Sequence, residues 1–130
     1  MGLSESIRFL GTRTDIPSVL ASIDALVHPS DEEGFSNAII EAMAAGRPVV
    51  ACEVGGNTEA IVENETGYLV PPRDPSALAA ALIRLLDDPQ RARALGTAGR
   101  ARVEERFTED RMIARYVAVY EELALHRLRK

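Results

Sequence analysis

Tryptophan is absent from this 130-residue sequence, and cysteine and lysine each occur once. The single cysteine, Cys52, excludes an internal disulfide, and its place directly after an apolar run favours a small buried side chain. We do not expect a reactive thiol, because no helix start or cationic neighbour in the sequence would lower the pKa of Cys52. Since the only lysine is Lys130, any contact with phosphate would come from arginine or from backbone amides.

Long apolar runs and a basic surface are also missing from the sequence. No run approaches the ~18 residues needed to cross a bilayer, so we expect a cytoplasmic protein, with peripheral contact to a membrane left open for a full-length form. The net charge of -5, without a concentrated basic patch, excludes a nucleic-acid-binding surface, because such a surface must displace counterions from phosphates. With 46% hydrophobic residues, the chain can bury the core of one domain.

What the sequence does contain is an alternation of apolar runs and helical patterns. Short continuous apolar runs, typical of parallel strands covered on both faces, predict strands at 7–10, 25–28, 48–51 and 68–70. Helices are predicted from start signals near Asp15, Ser36, Asn57, Asp74, Asp88 and Thr108. The alternation predicts an α/β fold: a partial Rossmann-like parallel sheet of about four strands, with helices on both faces and a helical C-terminus.

Two glutamates, Glu33 and Glu41, bracket the loop and helix that follow the second predicted strand. Glu33 follows the carboxyl end of that strand, where ligands bind in open parallel sheets. The amides after it begin a helix and favour an anionic or oxygen-rich group; they belong to Gly34, Phe35, Ser36 and Asn37. Glu41 lies about one turn further in, and its two oxygens suit a vicinal diol such as that of ribose. The alternative is that both glutamates only face solvent, as most glutamates do.

The run from Glu33 through Gly46 to Ala51 resembles the donor-site signature of the retaining, family-4 (group 1) glycosyltransferases, in which two glutamates separated by seven residues hold a nucleotide-sugar. The likeness continues to the C-terminus and so spans nearly the whole chain. It implies the GT-B fold, with two Rossmann-like domains, of which residues 1–130 would be the later part of the C-terminal, donor-binding domain. The N-terminal acceptor domain and the first strands of the donor-binding domain would then lie outside this chain.

The same resemblance implies roles for individual residues. Glu33 would be the catalytic residue and, with the amides after it, would contact hydroxyls of the donor sugar, while Glu41 would bind ribose. The loop after the third predicted strand resembles the second donor loop of the family, which would bring Gly55, Gly56 and Asn57 to the phosphates or the sugar. An ordinary strand-to-helix turn capped by Asn57 is the alternative there.

By this resemblance, the chain would bind a nucleotide-diphosphate sugar for the retaining transfer of a hexosyl group to an acceptor in carbohydrate biosynthesis. The expected enzyme holds no permanent cofactor and requires no metal, and the sequence has no aspartate pair or histidine cluster with ligand spacing. We expect no activity from this chain alone unless a separate polypeptide supplies an acceptor domain. The alternatives are a non-catalytic nucleotide-sugar binding or oligomerisation module and, less favoured, a sugar-nucleotide epimerase, which shares the two-domain architecture.

The expected lack of the first strands leaves an open edge at the strand 25–28, and such an edge can pair with another chain. We therefore predict a homodimer or a strand-swapped oligomer, with residues 7–10 either filling the gap in the sheet or crossing to a partner. The last helix carries an apolar stripe at helical spacing, made of Met112, Ile113, Tyr116, Val119, Tyr120 and Leu123. This stripe either lacks a cover in this chain or packs onto the helices around Leu82 and Leu95.

Several polar side chains near these motifs have expected roles outside the chemistry. We expect His28 to be packed or bonded to a loop, because the catalytic histidine of the family belongs to the other domain. Arg47 faces the end of the sheet opposite the predicted site and is interpreted as a surface charge. Arg73 is expected to be solvated or paired with a nearby glutamate, and Asp31 and Glu32 to form a solvated acidic loop.

Overall fold

The computed structural model describes residues 2–128, and the side chains of residues 2–126. Three parallel strands form one sheet in the order β1-β2-β3. In chain order, the elements are α1 (Ile16–Ser22), β1 (Leu26–His28), α2 (Asn37–Ala44), β2 (Val49–Cys52), α3 (Asn57–Ala60), β3 (Tyr68–Val70), α4 (Pro75–Asp87), α5 (Pro89–Arg106) and α6 (Glu109–Leu128). Val50 of the central strand aligns with Val27 on one side and Tyr68 on the other. The predicted α/β class and parallel sheet are confirmed.

The central strand β2 is buried along its whole length and divides the core in two. On one face, Val49 and Ala51 pack with side chains from α1, α2, α3 and α5. On the other face, Val50 and Cys52 pack with side chains from β3, α4 and α5. Because successive strand residues point to opposite faces, a continuous apolar strand is what a sheet covered on both sides requires.

Most helix starts lie where the sequence predicts them, since their signals are local. The hydroxyl of Ser36 accepts a hydrogen bond from the amide of Ile39 and caps α2. Asp74 and Asp88 cap α4 and α5 in the same way, each 2.9 Å from the amide that it accepts. α2 ends before Gly46, whose φ of 70° is the left-handed conformation expected after a helix.

The predicted strand at residues 7–10 is wrong. Residues 2–14 contain no helix or strand, and the side chain of Phe9 is 94% exposed. A short apolar run has little stability as a strand unless it finds a neighbouring edge, and within the described chain residues 7–10 pair with none. The sheet therefore has three strands rather than about four, and the outer edge of β1 is not paired in residues 2–128.

The last helix, α6, contributes nothing to the core. It begins after Thr108, as predicted, with the Thr108 hydroxyl accepting from the amide of Arg111 at 3.4 Å. Every described side chain from 109 to 126 is exposed. The alternative in which its apolar stripe packs onto the helices around Leu82 and Leu95 is therefore wrong. Across residues 2–128, neither α6 nor any other helix is long and apolar enough to span a bilayer.

Candidate functional site

Two loops meet at the carboxyl edge of the sheet, one after β1 (residues 29–36) and one after β2 (residues 53–56). The amide of Gly56 donates a hydrogen bond to the carbonyl oxygen of Gly34 at 2.8 Å. Gly55 has a φ of 45°, and a Cβ placed on it would lie 1.7 Å from the carbonyl oxygen of Glu33. Only glycine allows this approach of the two backbones, so the glycine pair fixes the path of the loop that carries Glu33.

The carboxylate of Glu33 is held by the end of the strand beneath it. Its Oε2 lies 2.9 Å from Nε2 of His28, the last residue of β1. Both side chains are largely covered, with 25% of Glu33 and 22% of His28 exposed. The predicted loop-bonded role of His28 is confirmed, and its partner is the predicted catalytic residue. The signal for this pair in the sequence is a histidine that ends a strand and a glutamate in the loop that follows it. The sequence analysis did not connect the two residues.

The start of α2 presents a row of free backbone donors. Within residues 2–128, none of the amides of residues 34–38 donates a hydrogen bond. The side chain of Ser36 is directed at the helix instead, because its hydroxyl caps the amide of Ile39. Unpaired N–H groups and the positive end of the helix dipole together favour an anion or an oxygen-rich ligand beside Glu33.

Glu41 lies on the second turn of α2, at the rim of an apolar hollow of about 340 Å³ between α1 and α2. The hollow is lined by Ile16, Pro17, Leu20, Glu41, Ala44 and Ala45. The carboxylate of Glu41 is exposed and has no hydrogen-bond partner among the described residues. It is therefore free to accept from a ligand whose apolar part enters the hollow. Sequence reasoning identified Glu41 but missed the hollow, which depends on how α1 packs against α2.

Phe35 connects the loop after β1 to the end of α5. Its ring, in a residue that is 42% exposed, lies 5.5 Å from the ring of Phe107 at an angle of 48°. The guanidinium of Arg102 lies 5.7 Å from the centre of the Phe107 ring and donates to the carbonyl oxygens of Glu59 and Ala60. The sequence analysis missed this contact, which braces the site from the residue that follows α5, 72 positions further along the chain.

Asn57, predicted to contact the donor, is completely buried. Its Nδ2 donates to the carbonyl oxygen of Cys52 at 3.0 Å, and its Oδ1 has no partner in the described chain. The amide of Gly56 likewise donates to a group of the protein, the carbonyl oxygen of Gly34. These contacts support a structural role for the two residues. The predicted cap is wrong, however, because Gly56 occupies the cap position of α3 and no side chain caps the helix. The donor contacts of Gly55, Gly56 and Asn57 stay a prediction.

Asp31 and Arg73 join the loop after β1 to the loop after β3 through an ion pair of 2.9 Å. The ion pair raises the pKa of the Arg73 guanidinium. It corrects two interpretations made from the sequence: the partner of Arg73 is an aspartate rather than a glutamate, and Asp31 is not merely solvated.

Burial, with a smaller effect of Asp31, raises the pKa of the Cys52 thiol, in line with an unreactive cysteine. Arg47 is partly buried rather than a free surface charge, and its Nη2 donates to the carbonyl oxygen of Ala21.

Comparison with known proteins identifies a family. The model of the group 1 glycosyl transferases matches residues 1–88. The D-inositol 3-phosphate glycosyltransferase of Salinispora tropica is 39% identical over 132 aligned residues, which cover 99% of this chain and 27% of that protein. The chain thus spans about a third or less of the length of the relatives that it matches.

Solved structures agree with this family. Sucrose-phosphate synthase from Thermosynechococcus elongatus superposes with a TM-score of 0.87 at 39% identity, over 95% of this chain and 32% of that one. HepE from Anabaena, solved in complex with UDP, superposes with a TM-score of 0.84 at 31% identity, over 95% of this chain and 33% of that one. A second structure of HepE contains UDP-glucose.

Proposed function

The chain belongs to the group 1 glycosyl transferases, as part of their C-terminal domain of GT-B fold, and on that premise we propose that it binds a nucleotide-diphosphate sugar at the carboxyl edge of its sheet. The observation that carries this proposal is the row of free amides at residues 34–38 beside the carboxylate of Glu33. The complexes of HepE with UDP and UDP-glucose support the ligand class.

We assign the two ends of the ligand to the two glutamates. The carboxylate of Glu33 would accept hydrogen bonds from hydroxyls of the sugar, and the amides after it would donate hydrogen bonds to sugar oxygens and to the phosphate. Glu41 would accept from the ribose diol, because it is exposed at the rim of a hollow that can receive an uncharged part of the nucleotide. Gly55 would lie beside the ligand, since it contacts the backbone of Glu33 directly.

The proposed reaction is a retaining transfer. The bond from the anomeric carbon to the phosphate oxygen breaks, and a bond to the oxygen of an acceptor hydroxyl forms on the same face. The nucleoside diphosphate leaves and takes up the proton that the acceptor hydroxyl loses. Charge on the leaving diphosphate would be stabilised by the amides at the start of α2 rather than by a required metal. Glu33, held by His28, would orient the sugar for this step as the catalytic residue.

We further propose that this chain does not turn over alone and needs an acceptor domain from a separate polypeptide or a longer chain. The second candidate is a module that binds a nucleotide-sugar without catalysis. No feature of the site favours the epimerase. The cytoplasmic location and the homodimer stay predictions from the sequence.

Calorimetric titration with UDP, GDP and their sugars tests the binding proposal. We expect one nucleotide to bind, and we expect Glu41→Ala to weaken that binding about 10- to 100-fold, since a hydrogen bond to a charged group contributes roughly 1.5–3 kcal/mol. The matched control is Glu65→Ala, which removes an exposed glutamate from the turn before β3. Equal losses in the two variants, or no binding of any nucleotide by the parent chain, would contradict the proposal.

A further inference from the structure

The carboxylate of Glu33 has one oxygen held by the protein and one left open. Its Oε2 lies 2.9 Å from Nε2 of His28, and its Oε1 has no hydrogen-bond partner among the described residues. An ionised carboxylate can only accept a hydrogen bond, so the proton of this contact belongs to Nε2 of the imidazole. Nδ1 of His28 has no partner in the described chain either, and Glu33 is therefore the group that selects the protonated nitrogen.

His28 is suited to hold this side chain because its own position is fixed. It ends β1 and pairs with Ala51 of the central strand, which is completely buried. Gly55 and Gly56 fix the loop that carries Glu33, but their contacts are with backbone atoms and leave the carboxylate free to rotate. A glutamate side chain has three rotatable bonds, and ordering them costs conformational entropy. The bond to His28 orders this side chain before any ligand arrives.

We propose that His28 is the positioning residue for the sugar end of the site. This inference rests on the proposed function, and it assigns different partners to the two oxygens of one carboxylate. Oε2 of Glu33 is held by His28, and Oε1 accepts from a hydroxyl of the donor sugar. Because the proton on its Nε2 is used for Glu33, His28 acts on the sugar through Glu33 rather than by direct contact.

The effect of His28 should be confined to the sugar and should not extend to the nucleotide. Glu41, the proposed ribose contact, lies at the rim of the hollow between α1 and α2. In the described chain, no side-chain hydrogen bond of His28 or Glu33 reaches a residue of that hollow. Removing the imidazole therefore leaves the nucleotide end unchanged but frees the side chain of Glu33, which must then be ordered during binding of the sugar.

Calorimetric titration of the chain with UDP and UDP-glucose, and with GDP and GDP-mannose, tests this assignment. For the pair that binds, we expect His28→Leu to weaken binding of the nucleotide-sugar about three- to tenfold, and that of the nucleotide alone by less than about twofold. His28→Gln should recover most of the loss, because its side-chain amide can donate to Glu33 in place of the imidazole. In a Glu33→Ala background, His28→Leu should cause no further loss.

The second histidine of the chain supplies the matched control. His126 is exposed on α6, outside the core, and His126→Leu should leave both affinities unchanged. A merely structural His28 would weaken the nucleotide and the nucleotide-sugar alike. That result, or a ratio of the two affinities that His28→Leu does not alter, would overturn the proposal while the proposed function stands. If no nucleotide binds to the parent chain, the proposed function fails, and this role of His28 fails with it.

Nitrogen-15 NMR of the imidazole rings tests the contact itself without a ligand. Because the sequence has only two histidines, His126→Leu assigns the ring signals of both. We expect Nε2 of His28 to carry a proton and its signal to shift in Glu33→Ala, while the signals of His126 stay in place. A His28 ring with a bare Nε2, or one that does not respond to Glu33→Ala, would overturn the proposal even if a nucleotide-sugar binds.

Discussion

Gly55 lies where the loop after β2 crosses the loop after β1, and its conformation decides where Glu33 is placed. A Cβ on Gly55 would meet the carbonyl oxygen of Glu33 at 1.7 Å, and the residue has a left-handed φ. We expect Gly55→Ala to lower the free energy of unfolding by about 2–4 kcal/mol, because both the backbone strain and the overlap must be relieved by moving a loop. Urea denaturation measures this loss.

Gly34 provides the matched control for that substitution. It lies in the facing loop, but a Cβ added to it meets nothing within 4 Å, and its φ is not in the left-handed region. Gly34→Ala should therefore change the free energy of unfolding by less than about 0.5 kcal/mol. Similar effects of the two substitutions would mean that the close crossing of the loops is not maintained in solution.

At the level of residues, the positions of the site residues could be predicted from the sequence, but the contacts that these residues make could not. Glu33 and Glu41 could be predicted because spacing along the chain places them after a strand and on the following helix. The bond from Glu33 to His28 and the free amides after Glu33 depend on the path of the loop. That path is set by glycines more than twenty residues away, so no local pattern reveals it.

Among the elements, the packing of α5 on α2 depends on Gly96. A Cβ there would lie 2.1 Å from the carbonyl oxygen of Gly46, in the turn that ends α2. Replacing glycine by alanine inside a helix usually stabilises it by up to about 1 kcal/mol. We expect the opposite here, a loss of about 2 kcal/mol for Gly96→Ala in urea denaturation, because the overlap is with backbone atoms.

Gly99, one turn further along α5, is the comparison for this prediction. Its added Cβ would lie 3.3 Å from the carbonyl oxygen of Thr66, a tight contact that a small shift can relieve. Gly99→Ala should therefore cost clearly less than Gly96→Ala. A gain in stability from both substitutions would show that helix propensity outweighs the packing of α5 on α2.

Helices could be predicted from this sequence more reliably than strands, for a physical reason. The caps Asp74 and Asp88 bond to amides three residues away, so the signal and the structure lie in the same short segment. A strand forms only when another segment offers it an edge. Residues 7–10 have the apolar character of a strand but no such edge within the described chain, and the prediction failed there.

Over the whole molecule, the core is built by residues 16–107, and two segments lie outside it. Residues 2–14 precede α1 without regular structure, and α6 follows α5 with every described side chain exposed. The open edge of β1 and the apolar stripe of α6 are thus two separate surfaces of the described chain. For the contact between two chains, the sequence favours a strand exchanged at the edge of β1.

Limited digestion of the native chain with trypsin tests whether residues 7–10 exchange between two chains. Arg8 lies in the exposed segment before α1, whereas Arg93 is exposed but held within α5. We expect cleavage after Arg8 to be at least about 100-fold faster, because cleavage after Arg93 requires α5 to unfold first. Mass spectrometry of the early products gives the two rates. If Arg8 is instead as resistant as Arg93, and more so as the protein concentration rises, then residues 7–10 pair with a partner chain, and strand exchange is the dominant contact.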